Sequence, residues 1–122
     1  MKAIYILIGV AMTVVSCTGR QGEAEKTVAN FMEANLNDSK QMKITDFSRL
    51  DSTTKVKDST VVAIRNAAEQ GGRYRRGISY APASKRGMLY IVRVNYRLNN
   101  DEHSDTYYLN ETLDEVVAVK NN

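Results

Sequence analysis

The chain has 122 residues, with 17 Lys and Arg against 14 Asp and Glu, one His, one Cys and a net charge of +3. That length allows one domain, and 43% apolar with 25% charged residues is ordinary globular composition. These values exclude collagen-like, low-complexity and wholly disordered chains, and a single Cys excludes a disulfide framework or a multi-Cys zinc site.

The apolar residues are unevenly spread, with twelve of them in residues 1–16. Lys2 is the only charge before Arg20, and Ala3 to Val15 is a run of thirteen uncharged residues. A membrane-spanning helix needs about 20 apolar residues, so this run fits the apolar region of a secretory signal peptide instead. Val14-Val15-Ser16-Cys17 follows, and it resembles the lipobox of bacterial lipoproteins, with Val where Leu is commoner. The resemblance implies cleavage before Cys17, a diacylglycerol thioether on Cys17 and acylation of the new amine by palmitate-type chains. Acyl chains contribute about 0.8 kcal/mol per buried CH₂, and two or more make anchoring stable. No acidic residue follows Cys17 before Glu23. By resemblance to Gram-negative lipoproteins, this implies an outer-membrane anchor with the domain facing the periplasm.

The expected division is therefore a signal peptide at 1–16, a lipidated polar tether at 17–22 and one α+β domain at 23–122. In the mature chain, sixteen Lys and Arg against fourteen Asp and Glu leave +2. Glu23 to Asn37 is predicted as a helix, since Val28, Phe31, Met32 and Leu36 form one apolar stripe. Met42 to Leu50 alternates enough for a short strand, and Asp51 to Lys57 is expected as a loop. Ser59 or Asp58 can cap a second helix, Thr60 to Gln70, closed by Gly71-Gly72. Tyr74, Ile78 and Tyr80 suggest a strand before Pro82.

The strongest strand is Met88 to Leu98. Met88, Tyr90, Val92, Val94, Tyr96 and Leu98 make one apolar face. Arg93, Asn95 and Arg97 lie on the other. After a turn at Asn99–Glu102, His103 to Asn110 is expected to return as a hairpin partner, and Val116 to Val119 as the last strand. Helices first and an antiparallel meander after them predict an α+β fold. One or two N-terminal helices would pack on one face of a curved sheet of four to five strands.

Residues 65–97 carry eight bases and one acid, whereas residues 101–115 carry six acids and no Lys or Arg. Basic and acidic strands facing each other would compensate, with Arg97 near Asp105 and Arg93 near Leu109. Opposed charges across strands contribute about 0.2–1 kcal/mol each. The alternative is an anion-binding surface of Arg73, Arg75, Arg76, Arg93, Asn95, Arg97 and Tyr107. Its partner would be lipid phosphate, an anionic glycan or the acidic surface of an envelope protein rather than nucleic acid, of which little is available to an exported lipoprotein.

Chemistry-bearing patterns are few. The single Cys is assigned to lipid and His103 to a turn, so a nucleophile–base pair is not available. Gly77-Ile78-Ser79-Tyr80-Ala81 lacks the last glycine of a nucleophile elbow. Asp101, Glu102 and Asp105 fail the spacing of a calcium loop, and no histidine pair exists for another metal. The expectation is a protein with no catalytic residues, no cofactor and no metal. Asp51-Ser52-Thr53 and Asp58-Ser59-Thr60 resemble O-glycosylation acceptors of exported Bacteroidetes-type proteins, which would modify Ser52 and Ser59.

The lipobox, Asn35-Leu36-Asn37-Asp38-Ser39, Phe47-Ser48-Arg49-Leu50-Asp51-Ser52 and Tyr90-Ile91-Val92-Arg93-Val94-Asn95-Tyr96 together resemble small Bacteroidetes-type lipoproteins with cystatin-like or NTF2-like mature domains. That resemblance implies either a non-enzymatic interaction module or a small-ligand or enzymatic pocket between helix and sheet. The sequence offers Tyr90, Tyr96 and Tyr108, with a charged group, as the lining of such a pocket. It also allows a dimer formed through the sheet.

Overall fold

The computed structural model describes residues 19–82 and 87–122. The expected signal peptide, Cys17, Thr18, Lys85 and Arg86 lie outside the described residues. Helix α1 spans Gly19–Asn35, a 3₁₀ turn follows at Ser39–Gln41, and strands β1 (Met42–Phe47) and β2 (Asp51–Thr53) precede helix α2 (Asp58–Gln70). Strands β3 (Leu89–Leu98), β4 (Asp101–Leu109) and β5 (Val116–Asn121) complete an antiparallel sheet in the order β1-β3-β4-β5, with β2 beside β3 as a second piece of the same edge. The fold is α+β, with two helices packed against an open five-stranded antiparallel sheet.

α1 buries Ala24, Val28, Met32 and Asn35, a spacing of four, four and three that keeps one side of a 3.6-residue helix on the sheet. It covers the inner face, where Val92, Val94, Tyr96 and Leu98 of β3 join Tyr107 and Leu109 of β4. α2 sits at the β5 side and divides its apolar residues. Ala68 joins the inner cluster, whereas Val61 and Ile64 pack with Leu89, Val117, Ala118 and Tyr108 in a second cluster. The two helices therefore do not share one face as expected. Arg65 helps to close the outer edge of β5 by donating to the Val117 and Ala81 carbonyls at 2.8 Å each.

Four expectations about local structure are corrected. α1 begins at Gly19 rather than Glu23, so residues 19–22 are helix and not tether. The Gln21 side chain donates to the Ser48 carbonyl at 3.0 Å and accepts from the Leu50 amide at 2.7 Å, and these tertiary bonds outweigh the low helix propensity of the flanking glycines. Asp51–Thr53, expected as loop, is β2, held by pairing with Leu89–Ile91. Tyr74 to Tyr80 is not a strand; Tyr74 makes one isolated bridge to Leu36, and Gly77 turns the chain at φ 74°. Finally, α2 starts without a side-chain cap from Asp58 or Ser59.

The β3–β4 turn decides the register. Asn99 and Asn100 both have positive φ, 53° and 73°, the signature of a two-residue hairpin turn whose twist matches the strands. β4 therefore starts at Asp101, and Arg97 pairs with Glu102, Arg93 with Thr106, and Val94 with Asp105. The expected approach of Arg97 to Asp105 and of Arg93 to Leu109 does not occur, because the two-residue turn moves the β4 partners of β3 three residues earlier.

Candidate functional site

The register sends residues 103, 105, 107 and 109 of β4 to the inner face. Asp105 is there, fully buried, among apolar side chains. A carboxylate so placed must be matched by donors, and three reach it at 2.6 Å. Arg73 Nη2 donates to Oδ1, and the Tyr74 and Tyr96 hydroxyls donate to Oδ2. Tyr74 and Tyr107 also share a hydroxyl–hydroxyl bond of 2.8 Å. Arg73 Nε bonds the Tyr96 hydroxyl at 3.0 Å, and Nη2 reaches Asn121 Oδ1 at 3.3 Å. The residues come from β3, β4, β5 and the segment after α2, so the network ties that segment onto the sheet.

Electrostatics follow the burial. Desolvation pushes the Tyr74, Tyr96 and Tyr107 phenols well above their usual range, and the Asp105 charge adds to it. These groups stay protonated and act as donors. For Arg73, burial opposes the charge, but bonding to Tyr96 and the Asp105 charge outweigh it and raise its pKa. Arg73 keeps 20% of its side chain exposed while Asp105 has none. The carboxylate is thus sealed from any solute, and its part is to fix the inner face.

The seven residues expected as one binding surface are not brought together. Tyr107 is completely buried on the inner face; its position two residues from Asp105 on β4 gives it the same direction. Arg73 is turned to Asp105, and Arg75 Nε to Asn35 Oδ1 at 2.9 Å. Arg76 is exposed. Arg93, Asn95 and Arg97 are exposed on the outer face, the side away from α1. The Tyr pocket is corrected too: Tyr90 and Tyr96 belong to the inner cluster, whereas Tyr108 packs with α2 residues in the other one. The inner space between α1 and the sheet is filled by Phe31, Tyr74 and Tyr107, with Phe31 edge-on to Tyr107 at 5.5 Å. His103, expected in a turn, lies in β4 beside the Tyr96 ring at 5.5 Å.

The outer face is polar where α2 does not cover it. Cross-strand pairing puts Lys43 beside Arg97 and Glu102, Asn95 beside Ser104, and Arg93 beside Thr106 and Lys120. A shallow open depression of about 420 Å³ there is lined by Thr45, Asn95, Glu102, Ser104 and Asn122, and it also reaches Tyr96 and His103. Among the described residues, Glu102 is the one carboxylate in ion-pair contact with this row, 3.1 Å from Arg97. Lys43 and Lys120 were missed by the sequence reading; their phase with Arg97 and Arg93 appears only once the register is known.

A second groove, about 360 Å³, runs past Thr27, Asn30, Phe31, Tyr80 and Asp114. Among the described residues the buried Tyr80 hydroxyl has no hydrogen-bond partner, and burial with the nearby Glu69 charge pushes its pKa up to about 12. Ser52 and Ser59 are both exposed, on β2 and in the first turn of α2. Among the described residues no group of three His, Cys, Asp or Glu could hold a metal ion, and no helix is long and apolar enough to cross a membrane. Comparison with protein-family models, curated proteins and solved structures finds no match.

Proposed function

We propose that this protein is a lipid-anchored lipoprotein of the cell envelope, held by acyl chains on Cys17. Its domain acts as a non-enzymatic binding module through the outer face of the sheet. The observation that carries the second half is the exposed row of Arg93, Asn95 and Arg97 on β3, flanked by Lys43 on β1 and Lys120 on β5. Its four bases outnumber its acids, which are Asp46 opposite Asn95 and Glu102 opposite Arg97, and amide and hydroxyl groups lie between them. Such a surface suits an anionic partner carrying many hydrogen-bonding groups, an anionic glycan above all. The rival reading, a ligand pocket between helix and sheet, has less support because the inner aromatic residues fill that space.

Two measurements test this reading. Radiolabelled palmitate should enter the native chain and not Cys17→Ser, which should leave the membrane fraction; persistent labelling refutes the anchor. Purified protein should bind polygalacturonate in preference to neutral dextran, and Arg93→Ala with Arg97→Ala should abolish that binding while the circular dichroism stays unchanged. Equal binding by the double variant refutes the outer face as the site.

A further inference from the structure

α1 begins at Gly19, and Cys17 is two residues earlier, with only Thr18 between them. Two residues reach at most about 7 Å. The first turn of α1 is itself pinned to the domain, since Gln21 bonds both Ser48 and Leu50. Arg20 lies over the Tyr90 ring, its guanidinium carbon 4.9 Å from the centroid. The length of chain between anchor and folded domain is therefore almost nothing, and the place where that chain enters is rigidly defined.

From this geometry, and resting on the lipoprotein reading, we propose that the lipid bilayer surface is the docking partner of one end of the domain. That end comprises the first turn of α1 and the Ser48–Asp51 corner, with exposed Arg20 and Arg49 at the level of phospholipid headgroups. The opposite end, the Asn99–Asn100 turn, points away from the membrane. Ser48 bonds the Arg93 carbonyl and Asp51 pairs with Ile91, whereas Asp101 pairs with Leu98. At about 3.3 Å per residue, Arg49 and Asp101 are separated by about 20 Å along β3. The outer face with Arg93 and Arg97 then stands beside the bilayer instead of lying on it, open to a partner in the aqueous space.

The chain contains no Trp, so single Trp probes report cleanly. Acylated full-length Arg49→Trp and Asp101→Trp proteins would be reconstituted in phosphatidylethanolamine–phosphatidylglycerol vesicles containing a dansyl-headgroup lipid. Matched far-UV circular dichroism would verify that both variants fold. Energy transfer from Arg49→Trp should be at least about twofold more efficient than from Asp101→Trp, given the separation along the strand. Inserting about ten Gly and Ser residues between Thr18 and Gly19 adds roughly 33 Å of reach and should remove the difference. Equal transfer from the two probes in protein that carries palmitate and floats with vesicles overturns the orientation while leaving the anchor standing. A difference that survives the spacer overturns the short connection as its cause. Absence of palmitate overturns the anchor, and the orientation with it.

Discussion

Replacing Asp105 with Ala should be the most damaging change in the inner face. The substitution removes an acceptor that takes three hydrogen bonds of 2.6 Å. The Tyr74 and Tyr96 hydroxyls lose their acceptor inside the core, and each unsatisfied buried donor costs about 1–3 kcal/mol. Tyr74 keeps its bond to Tyr107, which limits its share. Arg73 loses its charge partner but is 20% exposed, so water recovers part of its solvation. The total is about 3–5 kcal/mol, the usual cost of breaking a buried pair by removing one partner. In a domain of this size it lowers Tm by about 15–30 °C. Urea unfolding followed by far-UV circular dichroism measures it. Asp105→Asn, which keeps one acceptor oxygen, should cost about 2 kcal/mol and remain folded where the alanine variant is too unstable to measure. A loss below about 1 kcal/mol for Asp105→Ala would refute the account of Asp105 as the centre of the inner network.

Two further outcomes follow from the same structure. The Arg97–Glu102 pair is exposed on both sides, 51% and 78%, so a double-mutant cycle should give under about 1 kcal/mol, weakening further in high salt; a larger coupling would mean the outer face is structural. The buried phenols hold their protons more tightly in the folded chain, so their contribution to stability is whole below the unfolded pKa of about 10. It falls as pH rises further, because the unfolded chain releases those protons first, and for Tyr80 it is gone once pH passes about 12. Tyrosinate absorbance at 295 nm should therefore rise together with loss of circular dichroism; buried tyrosines titrating near 10 with an unchanged spectrum would contradict the network.

Local pattern was enough for much of the fold. The three-and-four spacing of Val28, Phe31, Met32 and Leu36 marked α1, and the alternation from Tyr90 to Leu98 marked β3 with its wet and dry faces. Both signals are periodic repeats that survive without any partner. β2 escaped notice because three residues hold no period; they are a strand only because β3 offers an unpaired edge. The helical state of Gly19–Gly22 likewise depends on Gln21 meeting Ser48 and Leu50, which are distant in sequence.

The candidate site divides the same way. Arg93, Asn95 and Arg97 were legible as the polar face of β3, since a side chain's direction along one strand follows from counting by two. Asp105 and Tyr107 were not, because their direction depends on where the hairpin turns. A shift of one residue would exchange the two faces of β4. Asn99-Asn100 carried that information, and reading it as a two-residue turn would have placed Asp105 among the tyrosines. The sequence alone determined the α+β class, the exposed row on β3 and the lipobox-like pattern at Cys17. The tertiary structure decided that Arg73 belongs to the interior and that Lys43 and Lys120 join Arg93 and Arg97. It also placed α1's first turn two residues from Cys17. Pairing register and the meeting of distant side chains arise only when separate elements pack, and no local period encodes them.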